Sequence, residues 1–230
     1  TICTPTTMHK EIAAKTIEAG KHVFIEKPLA STSQEARELL TTAEKRGVLV
    51  AVGFIERYNP AVKYIKQLVE KRKLGKIILV IARRVTRWPQ RIGDVGVTKD
   101  SAIHDIDVMR YLIDGEVKTV YAKAGSLVHK FEDFSEILLN FSGGEVGFID
   151  ANWLTPRKIR QLTITGSEAT ATIDYLTQET VVENSKRSIM PRLKWEEPLQ
   201  LELQSFVTSI LAGRTPSASG EDGLKALEVC

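Results

Sequence analysis

Val48-Leu49-Val50-Ala51-Val52-Gly53-Phe54-Ile55-Glu56-Arg57-Tyr58-Asn59-Pro60 is the stretch on which the fold turns. Up to Phe54 it is an almost unbroken apolar run, the pattern of a strand buried on both faces, as in parallel sheets. After Phe54 the pattern changes, and Asn59-Pro60 opens a helix over 61–72.

Upstream, helix and strand alternate. Thr6 or Thr7 caps a helix over 8–19, which Gly20 closes. A short strand over 22–25 breaks at Lys27-Pro28, where the peptide bond is open to the cis form. Ser31 or Ser33 caps a helix over 34–46, closed by Gly47. Strand, helix and strand with short connections mean a parallel sheet with crossover helices, the end of a doubly wound α/β domain. Residues 1–55 are therefore assigned to it.

Residues 56–230 read as a second, α+β domain. A strand over 76–85 and a loop over 94–99 precede a helix over 101–113 that Asp114-Gly115 ends. Strands then follow closely, at 119–127, 136–141, 145–153, 160–165, 169–174 and 180–184. Ser142-Gly143-Gly144 is a hairpin signal and Gly166-Ser167-Glu168 a second turn. The expectation is an antiparallel meander in a large open sheet. A loop over 188–198 leads to a helix over 199–211 ending at Gly213, and Ser219 or Glu221 starts the last helix. In 136–141, Ile137, Leu139 and Phe141 share one face, and Glu136, Leu138 and Asn140 the other. That mixed second face suits cover by another subunit.

The 230 residues are 43% hydrophobic and 27% charged, with a formal charge of +3, which excludes wholesale disorder. So balanced a charge makes no general case for nucleic acid or membrane, and the longest apolar runs, 48–52 and 77–82, are far too short for a span. The two cysteines, Cys3 and Cys230, make no disulfide framework and no metal spacing, so a reducing, cytoplasmic setting is expected. The chain opens with Thr1 in what reads as the end of a buried strand and closes in a short helix. It reads as a piece of a longer protein.

Several residues carry chemistry. Asp100, His104, Asp107 and Tyr111 fall in one stripe of a helix, with Ala102, Ile106, Met109 and Ile113 opposite. The stripe is either a solvated face with Asp100 as N-cap, or a carboxylate and an imidazole set in one cleft for proton transfer near neutral pH. A metal site is the weaker reading, since no second histidine is in register. Lys27 follows a strand of the parallel sheet, where ligand crevices open; it is either a surface lysine or a partly desolvated acid, base or donor. Thr4, Pro5 and His9 occupy a second strand-to-helix junction of that sheet, with capping and surface exposure as the plain alternatives. Arg83, Arg84, Arg87 and Arg91 crowd around Trp88, either as a solvated sheet face or as ligands for an anionic substrate such as a sugar nucleotide.

Taken in order, Thr-Pro-Thr-x-x-His (4–9), Glu-Lys-Pro (26–28), Gly-Phe-Ile-Glu-Arg-Tyr-Asn-Pro (53–60) and Asp-x-x-x-His-x-x-Asp (100–107) resemble the Gfo/Idh/MocA family of NAD(P)-dependent sugar oxidoreductases. The resemblance implies an N-terminal Rossmann domain and a C-terminal domain with an open antiparallel sheet. It implies that the glycine-rich phosphate loop and the acidic residue that reads the ribose lie upstream of Thr1. By analogy Lys27, Asp100 and His104 are catalytic. Thr4, Pro5, His9, Glu26 and Lys27 border the nicotinamide of NAD or NADP. Arg57, Tyr58 and Asn59 line the junction between domains where the substrate lies; beside the analogy, Asp107 is a further candidate substrate residue and Arg83, Arg84, Arg87 and Arg91 are candidates for its pyrophosphate. Within the family, residues 53–62 and 91–107 are most similar to UDP-N-acetylglucosamine 3-dehydrogenases, which implies oxidation at C3 of a nucleotide sugar. One departure is Asp94-Val95-Gly96, where many relatives carry three glycines. The resemblance also implies a homodimer or homotetramer formed through the sheet. The alternatives are a polyol or inositol dehydrogenase and a non-catalytic sugar-binding homologue.

Overall fold

Two short strands, Val23–Ile25 (β1) and Val50–Val52 (β2), run side by side in parallel in the computed structural model, which describes residues 1–88 and 93–230. Ile2 adds a single parallel bridge to Ile25 at the edge of this sheet. All six residues of β1 and β2 are buried, as the unbroken apolar run requires. A 3₁₀ turn (Thr6–Met8) leads into α1 (His9–Glu18), and α2 (Ser33–Arg46) crosses between the strands. The α2 cap is Thr32, not Ser31 or Ser33: Thr32 has extended backbone and accepts from Glu35 N–H at 3.2 Å. Gly47 closes α2 in the left-handed region at φ 64°, as expected.

A 3₁₀ turn (Ile55–Tyr58) joins β2 to α3 (Pro60–Glu70), capped by Asn59. Next come β3 (Ile77–Arg87), a π-helical turn (Thr98–Ala102) and α4 (Ile103–Ile113), closed by Asp114 at φ 57°. The strands β4 (Val117–Gly125), β5 (Phe134–Phe141), β6 (Val146–Asn152), β7 (Leu154–Gly166), β8 (Thr170–Asp174), β9 (Thr180–Glu183) and β10 (Ser188–Ile189) complete an eight-stranded sheet. The helices α5 (Pro198–Leu211) and α6 (Gly220–Val229) end the chain.

The sheet is not a plain meander. Its order is β10-β9-β8-β7-β3-β6-β5-β4, so β3 sits between β6 and β7, parallel to one and antiparallel to the other. Val85 pairs with Asn152 and Arg87 with Leu154. The chain thus steps around the end of β3 at Trp153 without a hairpin, and no local turn signal marks it.

The core lies between this sheet and α4, whose Ile103, Ile106, Met109 and Leu112 are fully buried. Each such side chain contributes about 1.5–3 kcal/mol. The same helix also buries Asp105 and Asp107 completely, and since Asp107 belongs to the stripe below Asp100, that stripe is no solvated face. The chain then returns to where it began. Ser219 bridges Ala51 in antiparallel fashion, Val52 N–H donates to Ala218 O at 3.0 Å, and Arg37 of α2 pairs with Glu228 of α6 at 2.5 Å. Ser219 and Asp222 cap α6 reciprocally.

Candidate active site

The carboxyl ends of Ile2 and β1 open into a cavity of about 480 Å³, lined among others by Thr4, Pro5, Glu26, Lys27, Asp94 and Asp100. Ligands of open α/β sheets bind at this edge. These six residues come from two stretches, 4–28 and 93–100, that the chain order keeps far apart, and the fold brings them together.

Lys27 is the centre of the cavity wall. It follows β1 directly, and the Lys27-Pro28 peptide bond is cis. Its ammonium donates to Asp100 Oδ1 at 2.6 Å and to Asp100 O at 2.7 Å. Both side chains are nearly closed off, at 13% and 11% exposure, so this is no surface lysine beside a turn. Asp100 lies in the π turn ahead of α4, not at an N-cap. Single π turns inside helices recur at functional sites because the extra residue re-aims the side chains before it. His104 stands in the first turn of α4, half-buried, four residues beyond Asp100.

Neighbouring residues brace the cavity. His9 is fully buried rather than on the surface, with its ring nitrogens 2.8 Å from Pro28 O and 2.9 Å from Thr4 O. It ties the two strand-to-helix junctions together instead of facing the cavity. Glu26 lies over Gly53, where an added Cβ would come within 2.8 Å of Glu26 Oε2. Asp94 Oδ2 accepts from Thr6 N–H at 2.6 Å, a bond from the second part of the chain to the start of α1. A side chain at Gly96 would collide with the Glu132 carboxylate, and Val97 N–H donates to Glu132 O at 2.9 Å. Asp94 was visible in the sequence only as a departure from three glycines; its position makes it part of the wall.

The cavity fits the nicotinamide half of a dinucleotide. It stands at the carboxyl edge of the parallel strands, and Thr4 Oγ1 is buried there without a hydrogen-bond partner among the described residues. Thr4, Pro5, Glu26 and Lys27 are the residues that would hold such a group.

The structure places the other expected substrate residues elsewhere. Arg57 is 5% exposed and lines a separate cavity of about 490 Å³ with Lys66, Arg110 and Lys225. Its guanidinium donates to Asp107 Oδ2 at 2.7 Å and Oδ1 at 2.6 Å, and also to Ser217 O. Burial works against the Arg57 charge, but the Asp107 carboxylate outweighs it and holds the pKa above the usual arginine value. Arg57 and Asp107 are thus partners of each other. Asn59 Oδ1 caps α3 by accepting from Ala61 N–H at 3.0 Å, and its Nδ2 donates to Tyr175 O at 3.0 Å. Tyr58 is buried beside it at 5% exposure.

The arginine cluster is dispersed. Arg84 is buried, bonded to Asp105 Oδ2 at 2.6 Å and Glu56 Oε1 at 3.0 Å. It stacks 5.0 Å over the Tyr175 ring. Burial opposes its charge, but Asp105 and Glu56 more than compensate and raise its pKa. Arg83 is exposed and donates to Asp150 Oδ2 at 2.9 Å, and Arg87 is also exposed. None of these three lines the Lys27 cavity. Arg91 lies outside the described residues. Arg84 fails as an anion ligand because β-strand alternation turns it inward, where α4 supplies Asp105.

Sequence reasoning missed Ser101 and Trp153, which stand behind Asp100. Trp153 Nε1–H donates to Ser101 Oγ at 3.2 Å, and Ser101 Oγ–H to Asp100 Oδ2 at 3.0 Å. Ser101 follows Asp100 directly. The contact to Trp153 spans 52 residues and depends on the chain's step around β3.

Comparison with known proteins agrees with this geometry. Residues 1–54 match the oxidoreductase family with an NAD-binding Rossmann fold, and residues 62–172 match the GFO/IDH/MocA C-terminal domain. The chain is 30% identical to an uncharacterised oxidoreductase, YrbE, of Bacillus subtilis, over 98% of this chain and 71% of that protein. It is 28% identical to the myo-inositol 2-dehydrogenase of Thermotoga maritima, over 98% and 73% of the two chains. Among solved structures it resembles the UDP-N-acetylglucosamine 3-dehydrogenase GnnA from Acidithiobacillus ferrooxidans. That match has a TM-score of 0.91 and 27% identity, over 99% of this chain and 74% of the other. A Rossmann-type domain joined to a domain with a large, mostly antiparallel sheet, and the two family matches in the same order, lead to one conclusion: the chain belongs to the Gfo/Idh/MocA family of oxidoreductases.

Proposed function

We propose that the protein oxidises a secondary alcohol of a sugar, C3 of a UDP-N-acetyl-hexosamine, with NAD or NADP as oxidant. The observation that carries this is the Lys27–Asp100 pair, in contact at 2.6 Å in the cavity wall. Bound nicotinamide supplies the hydride acceptor at its C4. The hydroxyl proton passes to the His104 ring, and the carbinol carbon gives up its hydrogen with both electrons, leaving a ketone. Lys27 donates a hydrogen bond to the substrate oxygen and stabilises the charge that develops there. Asp100 takes two of the ammonium's three hydrogen bonds, so the third is available to substrate. Thr4, Pro5 and Glu26 shape the nicotinamide side, and His9 braces it from behind. The roles of Lys27 and His104 can be exchanged without altering the balance of the reaction.

The functional division is residues 1–55 for the dinucleotide and 56–230 for substrate and assembly, with α6 docked back on the first part. A reducing, cytoplasmic setting fits two free thiols. No helix among the described residues is long and apolar enough to cross a membrane.

A polyol substrate is the second reading, and the dispersed arginines favour it. With Arg84 engaged inside, the anion-binding set expected for a pyrophosphate is weakened. The inositol dehydrogenase of Thermotoga maritima, 28% identical, is a relative of that kind. Nicotinamide absorbance with UDP-N-acetylglucosamine or myo-inositol, and with NAD or NADP, separates the readings. Reduction with the nucleotide sugar alone supports the first, and reduction with inositol alone supports the second. Reduction with neither, nor with a wider sugar panel, overturns the dehydrogenase reading.

Assembly through the sheet is part of the proposal. Ile81, Phe148, Leu138 and Tyr121 lie side by side across β3, β6, β5 and β4 on the outer face. They are 41%, 36%, 37% and 75% exposed. A second copy covering this row makes a homodimer, and a further, distinct contact between dimers a homotetramer. Light scattering of Leu138→Lys, which is expected to be monomeric, tests it.

A further inference from the structure

The hydrogen bonds behind Lys27 run in one direction. Trp153 Nε1 carries a proton and has no lone pair to offer, so at 3.2 Å from Ser101 Oγ it can only donate. Ser101 Oγ then turns its own proton to Asp100 Oδ2, 3.0 Å away. The other carboxylate oxygen, Oδ1, receives Lys27 Nζ. A carboxylate held at one oxygen alone rotates easily, because the terminal torsion of aspartate is broad. Held at both, it has one plane. Trp153 is itself fixed: it is 2% exposed, and the Trp88 ring meets it edge-on with centroids 4.4 Å apart.

We infer that Ser101 is a positioning residue: anchored by Trp153, it sets the plane of the Asp100 carboxylate and so the direction in which Lys27 presents its ammonium to the cavity. This rests on the reading of Lys27 and Asp100 given above. The π turn at Thr98–Ala102 carries both Asp100 and Ser101. Trp153 reaches them because the chain crosses the end of β3 there, so the irregular sheet order and the irregular helix start meet at the same carboxylate.

The test is Ser101→Ala, with Ser101→Thr and Trp153→Phe beside it, in steady-state kinetics across pH. Ser101→Ala is expected to lower kcat about 10-fold or more while KM stays within about twofold. The pH profile of kcat/KM differs from that of the wild type, a change that a merely structural role would not produce. Ser101→Thr, which keeps the hydroxyl, restores both. Trp153→Phe, which keeps the ring but not the N–H, shifts them in the same direction by less. A Ser101→Ala enzyme with wild-type kcat and pH profile overturns the inference. If the wild type oxidises no sugar in the panel, the functional reading falls and Ser101 is judged by chemistry. Acetic anhydride labelling of Lys27, followed by mass spectrometry, is then expected to be faster in Ser101→Ala than in wild type and close to Asp100→Asn. Equal rates in Ser101→Ala and wild type overturn the positioning role.

Discussion

Two ion-pair systems hang from the segment 100–107, and they do opposite things. At its start, Asp100 holds Lys27 at the edge of an open cavity. One to two turns later, Asp105 and Asp107 hold Arg84 and Arg57, each pair buried and bonded through both carboxylate oxygens. The buried arginines are surrounded: Arg84 also reaches Glu56, and Arg57 also reaches Ser217 O and Asp222. Lys27 keeps one donor with no partner among the described residues. A charge pair with both partners buried and both carboxylate oxygens bonded serves as scaffold. One with a donor facing a cavity is where chemistry can occur.

The sharpest way to break this contrast is to remove a buried arginine. Arg84→Met leaves Asp105 buried without its counter-ion and Glu56 with Arg160 alone, 3.9 Å away, and urea unfolding is expected to show a loss of about 3–5 kcal/mol. If the loss stays below about 1 kcal/mol, the buried pair is not scaffold and the contrast fails.

Lys27→Met is the converse. It is expected to lower kcat by about 10² or more, since general acid–base and oxyanion terms are of that size, and to cost less stability than Arg84→Met, since the pair borders an open cavity. A fall in stability with activity preserved would move Lys27 to the scaffold side.

Glu202 adds a third case, a buried carboxyl without a counter-ion. It lies on α5 at 1% exposure, and neither oxygen has a hydrogen-bond partner among the described residues. Burial, then the neighbouring Glu26, Asp107 and Glu56, push its pKa up to about 9. In the unfolded chain it ionises near 4.3. Between those two values the folded state binds the extra proton, so stability falls as pH rises. The slope is up to about 1.4 kcal/mol per pH unit, or about 2–3 kcal/mol between pH 6 and pH 8. Glu202→Gln is expected to flatten this dependence, as read from urea midpoints at the two pH values. An unchanged slope would mean that Glu202 ionises freely in the folded protein.

What the sequence disclosed follows from the range of its signals. Lys27 and Asp100 stood out because each sits at the end of one element, but Thr6 and Thr7 cap nothing: a 3₁₀ turn precedes α1, and no side chain caps it. Asn59-Pro60 read correctly as a helix start, because capping is local. The choice of Thr32 over Ser31 and Ser33 was not legible: all three offer a hydroxyl, and backbone geometry decides. The insertion of β3 between β6 and β7 was hidden as well, because strand pairing across some 70 residues leaves no mark in either strand alone. Arg84 shows the same limit at the site. Alternation separates it from Arg83, but which face is inside depends on α4 and its Asp105, 21 residues away.

That adjacent pair supplies the smallest and most discriminating prediction. Arg83 and Arg84 are neighbours on one strand, and each donates through Nε to an aspartate, at 2.9 and 2.6 Å. They differ in face: the Arg83 side chain is 51% exposed and that of Arg84 5%. An exposed pair has water as its alternative partner and is screened by salt, so it contributes about 0.5 kcal/mol or less. Arg83→Ala is expected to shift the urea midpoint by no more than that, and by less still in 0.5 M salt. Arg84→Met keeps its large loss at both ionic strengths. Equal losses from the two would mean that contact with an aspartate, rather than burial, sets the energy. A negligible loss from Arg83 together with a raised KM for UDP-N-acetylglucosamine would instead assign the outward arginine to substrate, the one role that the burial of Arg84 leaves to the cluster's exposed side.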